Sequence, residues 1–226
     1  MFYYDAPGIL IMIVTMGFSL WAQNKVKGAY NTYSQVGSRS GMTGADIAQW
    51  MMQREGITDV GLERVAGELS DHYDPKAKVV RLSEGVYDNQ SIAALGIAAH
   101  EVGHVIQHAR GYTPMHLRSF VYPTASIGSK LAIPLIFAGI LLSGFHFLAI
   151  VGVLLFAAST LFTLVTLPVE FNASSRALAA LEGGGILSSD EMPGAKKVLD
   201  AAAWTYVAAA VTSVMYLLYY ISLINR

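Results

Sequence analysis

Two histidines and a glutamate stand at a spacing that could hold a catalytic metal. His100-Glu101-Val102-Gly103-His104 is an H-E-x-x-H motif. On a helix, residues four apart share one face, so both imidazoles can reach one Zn²⁺. Glu101, beside the first histidine, can take a proton from water that the metal activates. The motif therefore predicts Zn²⁺ as cofactor, His100 and His104 as metal ligands, and Glu101 as the general base of a hydrolase.

A catalytic zinc site usually has a third protein ligand and one open position. Cysteine is absent, and four other histidines occur, His72, His108, His116 and His146. His108 lies roughly 12 Å along the helix from His100, too far for one metal to hold both together with His104. Glu170 directly follows a long apolar run, where a carboxylate is expensive unless it is used or paired. We therefore predict Glu170 as the third ligand.

The composition points to a membrane protein. Hydrophobic residues make up 54% of the 226 residues and charged residues 14%, whereas soluble domains carry about 25% charged residues. A membrane helix needs about 20 apolar residues, and apolar runs occupy residues 7–22, 123–142, 147–167 and 204–224. The first run has no basic residue before it, so we expect a membrane helix and not a cleaved signal peptide. The formal net charge of -1 gives no reason to expect a nucleic-acid partner.

The predicted fold class is a mainly α membrane protein with about four transmembrane helices and a small cytoplasmic α+β zinc-protease domain. The expected order is transmembrane helix 1 at 1–22, a water-facing domain with the motif at 23–122, a transmembrane hairpin at 123–167, a cytoplasmic segment with Glu170 at 168–203, and transmembrane helix 4 at 204–226. Residues 143–146 offer the break inside the hairpin.

Short patterns organise the water-facing domain. Thr43 followed by Asp46 is a capping-box-like helix start, and residues 91–110 read as a helix that Gly111 could end. Residues 60–65 and 78–83 have strand character, with a loop at 71–75 between them. Residues 78–83 are either an edge strand that aligns an extended peptide by backbone hydrogen bonds, or an ordinary internal strand.

Basic residues predict the orientation. They cluster between the first and second runs and between the third and fourth runs, as Lys25, Lys27, Arg39, Arg110, Arg118, Arg176, Lys196 and Lys197, whereas only Arg226 follows the fourth run. The positive-inside rule places both polar segments in the cytoplasm. We therefore expect a multi-pass protein of the plasma membrane with its active site on the cytoplasmic side. Two crossings separate His104 from Glu170, which returns both residues to one membrane face.

The chain resembles the YugP-like neutral zinc metallopeptidases of bacterial membranes. The matching segments are residues 70–75, 81–87, 93–107 around the motif, and 168–174 around Glu170. The arrangement is also similar, more distantly, to HtpX-like and CAAX prenyl proteases, in which an E-F-x-A-D helix pairs with the motif helix. This chain has Ser174 where those families have the aspartate. Asn172 or Asp71 could supply the aspartate's contact to a ligand histidine.

These observations predict a membrane-embedded zinc-dependent endopeptidase whose partners are protein or peptide substrates and the lipid bilayer, with cleavage either inside the bilayer or at its surface. His72, Tyr87 and Arg176 are candidates for stabilising the oxyanion of the transition state or contacting substrate. The alternative is a non-catalytic membrane adaptor or chaperone with a structural zinc site, which the intact Glu101 disfavours. A metal transporter would need polar residues along its spans, and these spans carry few.

Overall fold

Helices dominate the architecture. The computed structural model describes residues 6–142 and 144–225. Residues 1–5 of the predicted first span, Ser143 of the predicted hairpin break, and Arg226 lie outside the described residues. The helices are α1 Ala6–Tyr33, α2 Gly44–Arg54, α3 Glu84–Tyr87, α4 Ile92–Ala109, α5 Thr113–Leu141, α6 His146–Gly183 and α7 Met192–Ile224. The strands are β1 Gly61–Val65, β2 His72–Asp74 and β3 Val79–Ser83.

Four helices, α1, α5, α6 and α7, are long and apolar enough to cross a membrane, as the sequence predicted. Each is longer than the apolar run it contains. Helix α6 continues past Leu167 to Gly183, and α7 begins at Met192, well before Trp204. Because a helix is rigid along its length, these extensions couple the membrane spans directly to the polar part of the molecule.

Helices α5 and α6 form an antiparallel hairpin with very close backbones. A Cβ atom added to Gly152 would lie 2.7 Å from the Ala132 carbonyl oxygen, and one added to Gly128 would lie 2.7 Å from the Leu155 carbonyl oxygen. Small residues allow this approach in an apolar environment, where packing drives helix association. Helix α7 packs beside α6, and α1 packs beside α7.

The three strands form a small mixed sheet in the order β1-β3-β2. Strand β3 pairs in parallel with β1 and antiparallel with β2. The edge-strand interpretation of residues 78–83 was therefore wrong, because β3 is the internal strand. The predicted loop at 71–75 was also wrong in part, since it contains β2. The Asp74 carboxylate accepts from the Lys76 and Ala77 amides, and this tight turn gave the segment its loop-like composition.

Helix α4 lies at the centre of the polar unit, which is the part of the fold predicted above as the water-facing domain at residues 23–122. Ser91 caps its start by accepting from the Ala94 amide, and Gly111, with φ +64°, follows its end. Almost every side chain of α4 is buried, against α2, α3, α6 and α7. The capping box of Thr43 and Asp46 is also present at the start of α2, so both local helix predictions are confirmed.

The crossing of α4 and α6 is closest at Gly103, inside the H-E-x-x-H motif. A Cβ atom there would lie 2.6 Å from the Ala173 carbonyl oxygen, a distance that real Cβ contacts do not show. Any side chain at position 103 must therefore push the two helices apart, and with them the residues they carry.

Gly103→Ala should consequently lower thermal stability, although alanine normally favours a helix over glycine by about 1 kcal/mol. Overpacking of this kind costs about 1–3 kcal/mol. Gly28→Ala is the matched control, because Gly28 is also helical and nothing lies within 4 Å of an added Cβ. Thermal unfolding in detergent should show a lower midpoint for Gly103→Ala and an unchanged or higher one for Gly28→Ala. Equal midpoints would show that the crossing tolerates expansion.

Candidate metal centre

Three candidate ligands meet where α4 crosses α6. The Glu170 Oε2 atom lies 3.3 Å from His100 Nε2 and 3.4 Å from His104 Nε2. One ligand atom from each residue falls within 4.8 Å of the others, and the group could hold a metal ion. The two imidazole rings stand 86° apart. The helix places the histidines on one face, as expected for residues four apart.

The spacing of these atoms fits zinc. Ligand atoms about 2.0–2.1 Å from a tetrahedral Zn²⁺ are separated from each other by about 3.3–3.4 Å. The observed separations of 3.3 and 3.4 Å match this value, and they are long for hydrogen bonds. Two imidazole nitrogens and a carboxylate oxygen are also the donor set of many catalytic zinc sites. The residues present therefore fit the metal that the motif predicts.

Ser174 orients His100. Its Oγ atom lies 3.1 Å from His100 Nδ1, one turn of α6 beyond Glu170. Ser174 itself thus makes the contact that the resemblance assigned to an aspartate. Asp71 instead accepts from the amide and hydroxyl of Ser83. Such outer contacts fix the ring and the tautomer of a ligand histidine, so the Nε2 atom of His100 is directed at Glu170.

Gln107 orients His104 in the same way. Its Oε1 atom lies 3.0 Å from His104 Nδ1. Its amide nitrogen donates to the Val169 carbonyl oxygen at 2.7 Å and to Asn172 Oδ1 at 3.0 Å. Because both of those partners are acceptors, the amide oxygen must face the histidine. His104 then donates from Nδ1 and keeps an unprotonated Nε2 for a metal.

Glu170 is buried, with 3% of its side chain exposed. Its second carboxylate oxygen, Oε1, lies 3.3 Å from Arg118 Nη1 of α5. A buried carboxylate without partners is strongly unfavourable. Two imidazoles on one oxygen and a guanidinium on the other remove that cost and leave Oε2 facing the histidines. Arg118 is a contact that the sequence analysis did not identify.

Glu101 lies beside this group and faces a cleft. The cleft has a volume of about 200 Å³, and its walls include His100, Glu101, Asp71, Thr205 and Tyr206. Among the described residues, no side chain hydrogen-bonds the Glu101 carboxylate. The general base predicted from the motif is therefore free to accept a proton from a molecule in the cleft.

Two titratable groups near the site, His104 and Asp71, have pKa values above their ordinary ones. Burial by itself lowers the pKa of the His104 imidazole, but the Glu170 carboxylate, with Glu101 and Gln107, outweighs burial and holds that pKa above its ordinary value. A proton on His104 would therefore compete with a metal, and zinc binding should weaken as pH falls. For the Asp71 carboxyl, burial has the opposite effect and raises the pKa, although the hydrogen bonds from Ser83 oppose this effect.

The three candidate transition-state residues lie elsewhere. His72 Nδ1 contacts the Ser70 carbonyl oxygen at 2.8 Å, the Tyr87 ring packs against Arg64, and Arg176 Nε donates to Asn172 Oδ1 at 2.8 Å. None of them is among the residues that line the cleft. Their predicted role stays a prediction that this geometry does not favour.

Tyr206 is better placed for contact with substrate, since it lines the cleft and its phenol neighbours the Glu170 carboxylate. The sequence analysis missed it because the residue lies inside an apolar run. The signal available in the sequence was the pair Thr205-Tyr206, two side chains with hydroxyl groups inside an apolar run. The other histidines are not in the metal group, and His108 instead accepts or donates a 2.8 Å hydrogen bond with the Tyr73 hydroxyl.

Comparison with known proteins relates the chain to a family of zinc metallopeptidases. Residues 8–225 match the model of a family described as "Putative neutral zinc metallopeptidase". The chain is 46% identical over 213 residues to the "Putative membrane protease YugP" of Bacillus subtilis (strain 168), an alignment that covers 94% of each chain. No solved structure matches the chain.

Gln107→Leu should weaken zinc binding by about 10–100-fold, the usual effect of losing a contact that orients a ligand. Leucine has a similar size but cannot accept the hydrogen bond from His104 Nδ1. Gln53→Leu is the control, because Gln53 is exposed on α2. Competition with a chelator measures the affinity of each purified variant, and far-ultraviolet circular dichroism checks that it is folded. Wild-type affinity in folded Gln107→Leu would show that His104 needs no fixed tautomer.

Proposed function

The chain belongs to the "Putative neutral zinc metallopeptidase" family, and from this premise we propose that it is a membrane-embedded zinc-dependent endopeptidase. One observation carries the proposal. The Glu170 carboxylate oxygen lies from each imidazole nitrogen at the spacing of two ligands on a tetrahedral zinc, all three ligand atoms lie within 4.8 Å of one another, and an unpaired glutamate faces a cleft beside them. This combination is what hydrolysis of a peptide bond by an activated water needs.

Each residue has a distinct role in the proposal. His100, His104 and Glu170 hold the metal, and Ser174, Gln107 and Arg118 hold those three side chains in position. Bound zinc supplies a Lewis acid for the scissile carbonyl and for water.

Glu101 is the general base in this scheme. Its carboxylate accepts a proton from the attacking water and passes it to the nitrogen of the leaving amine. The position of Glu101 one residue after His100 keeps the carboxylate out of the metal group but next to it. The cleft gives a polypeptide access to both.

We further propose a place for the reaction. The relative from Bacillus subtilis carries the name of a membrane protease, and four helices of this chain are long and apolar enough to span a bilayer. The distribution of basic residues supports a plasma-membrane protein with its polar unit and metal centre in the cytoplasm. The substrates are proteins or peptides.

Separate substitutions of Glu101 and Glu170 should distinguish the role of a general base from that of a metal ligand. Glu101→Gln should bind zinc nearly as well as the wild type and lose turnover by several orders of magnitude, because only the proton acceptor is removed. Glu170→Gln should weaken zinc binding, because a neutral amide is a poor zinc ligand compared with a carboxylate. Metal analysis and digestion of an unfolded protein such as casein measure the two properties separately.

Glu182→Gln is the control for both variants, since Glu182 is an exposed residue of the same helix as Glu170. Full proteolysis by Glu101→Gln would contradict the assigned base and favour an adaptor or chaperone with a structural metal. Unchanged zinc binding by Glu170→Gln would remove Glu170 from the metal centre.

The orientation can be tested with single cysteines, because the chain has none of its own. Ser34→Cys lies directly after α1, and Ser143→Cys lies between α5 and α6 in sequence. In intact cells, an impermeant thiol reagent should label Ser143→Cys and should label Ser34→Cys only after the cells are opened. The reverse pattern would place the metal centre outside the cytoplasm.

A further inference from the structure

The cleft beside Glu101 is closed by two of the candidate membrane helices. Val26 and Tyr30 of α1 form part of one wall, and residues 198–206 of α7 contribute five lining side chains. The motif helix and the segment before β2 complete the walls. A polypeptide that reaches Glu101 must therefore lie against helices that continue into the apolar spans.

A cluster of aromatic rings marks where those spans end. Trp21 of α1 and Trp204 of α7 meet edge to face with centroids 5.4 Å apart, and Phe18 stacks on Trp21. The Lys25 ammonium lies 4.9 Å from the Trp21 ring and 5.4 Å from the Trp204 ring. Both tryptophans are substantially exposed. Exposed tryptophan at the end of an apolar helix, with lysine directly beyond it, is the pattern of a membrane interface.

The cleft lies at the height of this aromatic cluster. Ala202, Thr205 and Tyr206 line the cleft, and along the axis of α7 each is within about 3 Å of Trp204. Val26 of α1 is about 7.5 Å beyond Trp21. On α7, the interface ring and part of the cleft lining are therefore at nearly the same level, whereas on α1 the cleft begins about 7.5 Å beyond the interface ring.

From this arrangement we infer that the substrates are membrane-anchored polypeptides, cut in the segment that lies in the interface directly outside the apolar core. The inference rests on the proposed function and names its substrate class. A chain leaving the bilayer beside α1 or α7 enters the cleft at once. A soluble polypeptide must instead approach a cleft whose walls sit at the lipid surface.

The walls also select the side chain next to the cleaved bond. Most of the lining is apolar, from Val26, Leu69, Ile97, Val198, Leu199 and Ala202. A cavity of about 200 Å³ has room for one large apolar side chain. Burial of such a side chain contributes about 1.5–3 kcal/mol. The enzyme therefore cuts beside leucine, methionine or phenylalanine in preference to charged residues.

Leu69 supports this assignment independently. It is 40% exposed at the cleft although it is a leucine, and its φ of +53° is a conformation that residues with a side chain rarely adopt. Strained backbone of this kind tends to occur at sites that contact ligands. This backbone conformation places an apolar side chain in the lining of the cleft, where it would contact the substrate.

An internal competition tests the substrate class. The substrate carries a single transmembrane helix followed by three identical copies of a casein segment that the solubilised protein cuts, at increasing distance from the helix. Both proteins are reconstituted in vesicles of phosphatidylcholine and phosphatidylglycerol. We expect the copy nearest the membrane to be cut first, at least tenfold faster than the farthest copy, as read from product masses. The same three copies without the transmembrane helix should be cut equally.

The outcomes separate the inference from the proposed function. Equal cutting of the three anchored copies, or faster cutting of the farthest copy, would overturn the inference while proteolysis stands. Failure to cut the casein segment in both the anchored and the free substrate, with zinc bound, would instead remove the proposed function. Glu101→Gln supplies the uncut baseline for each substrate.

Ala202→Phe tests the apolar wall, because it adds volume at a position that lines the cleft. Relative to cutting beside alanine, cutting beside leucine or phenylalanine should fall at least tenfold in kcat/KM, the usual discrimination of an apolar pocket. Ala209→Phe adds the same volume to an exposed face of α7 and should alter neither rate. Equal rates in wild type and Ala202→Phe would overturn the assignment of this wall.

Leu69→Ser removes apolar surface at an exposed position, so folding is not at stake. It should lower kcat/KM more for the leucine sequence than for the alanine sequence, and equal effects on both sequences would overturn the assignment of the pocket.

Discussion

A buried carboxylate on a helix that is long and apolar enough to cross a membrane sets the central constraint of this structure. Glu170 is nearly inaccessible, and a charge in such a place must be paired or bound to a metal. His100 and His104 face one of its oxygens and Arg118 faces the other. These partners come from α4 and α5, so the carboxylate can be satisfied only when three helices occupy their places at the same time. The geometry of the metal centre therefore depends on the packing of helices α4, α5 and α6.

Close packing of α4 against α6 makes this arrangement of helices possible. Gly103 lets α4 approach the backbone of α6 at Ala173, which lies between Glu170 and Ser174 in sequence and near both. From that one crossing, α6 provides a ligand, Ser174 provides the contact to His100, and the Val169 carbonyl oxygen fixes Gln107. Gln107 is a polar group inside the core and Asn172 is half-buried, and each finds its partners within the same crossing. Satisfied networks of this kind make the arrangement unique as well as stable.

Local patterns in the sequence predicted more than contacts between distant segments did. The motif residues, the capping box at Thr43 and the four apolar spans depend on spacing within one helix, and the structure has all of these features. Glu170 was singled out because the cost of a carboxylate near the membrane is visible in composition. Gln107, Arg118 and Tyr206 could not be assigned in this way, since their contacts depend on how separate helices cross. Strand β2 was missed because two aspartates and a proline looked like a turn, whereas its pairing with β3 makes it a strand.

The membrane helices are part of the site and not only an anchor for it. Residues 23–122 contain both histidines and Glu101, but the candidate third ligand lies on α6 and most of one cleft wall lies on α7. A soluble peptidase attached to a membrane by a tail would keep its site when the tail is removed. Here, removing helices α5, α6 and α7 would remove Arg118, Glu170 and one wall of the cleft together. The candidate site is therefore completed by the same helices that are long and apolar enough to cross a membrane.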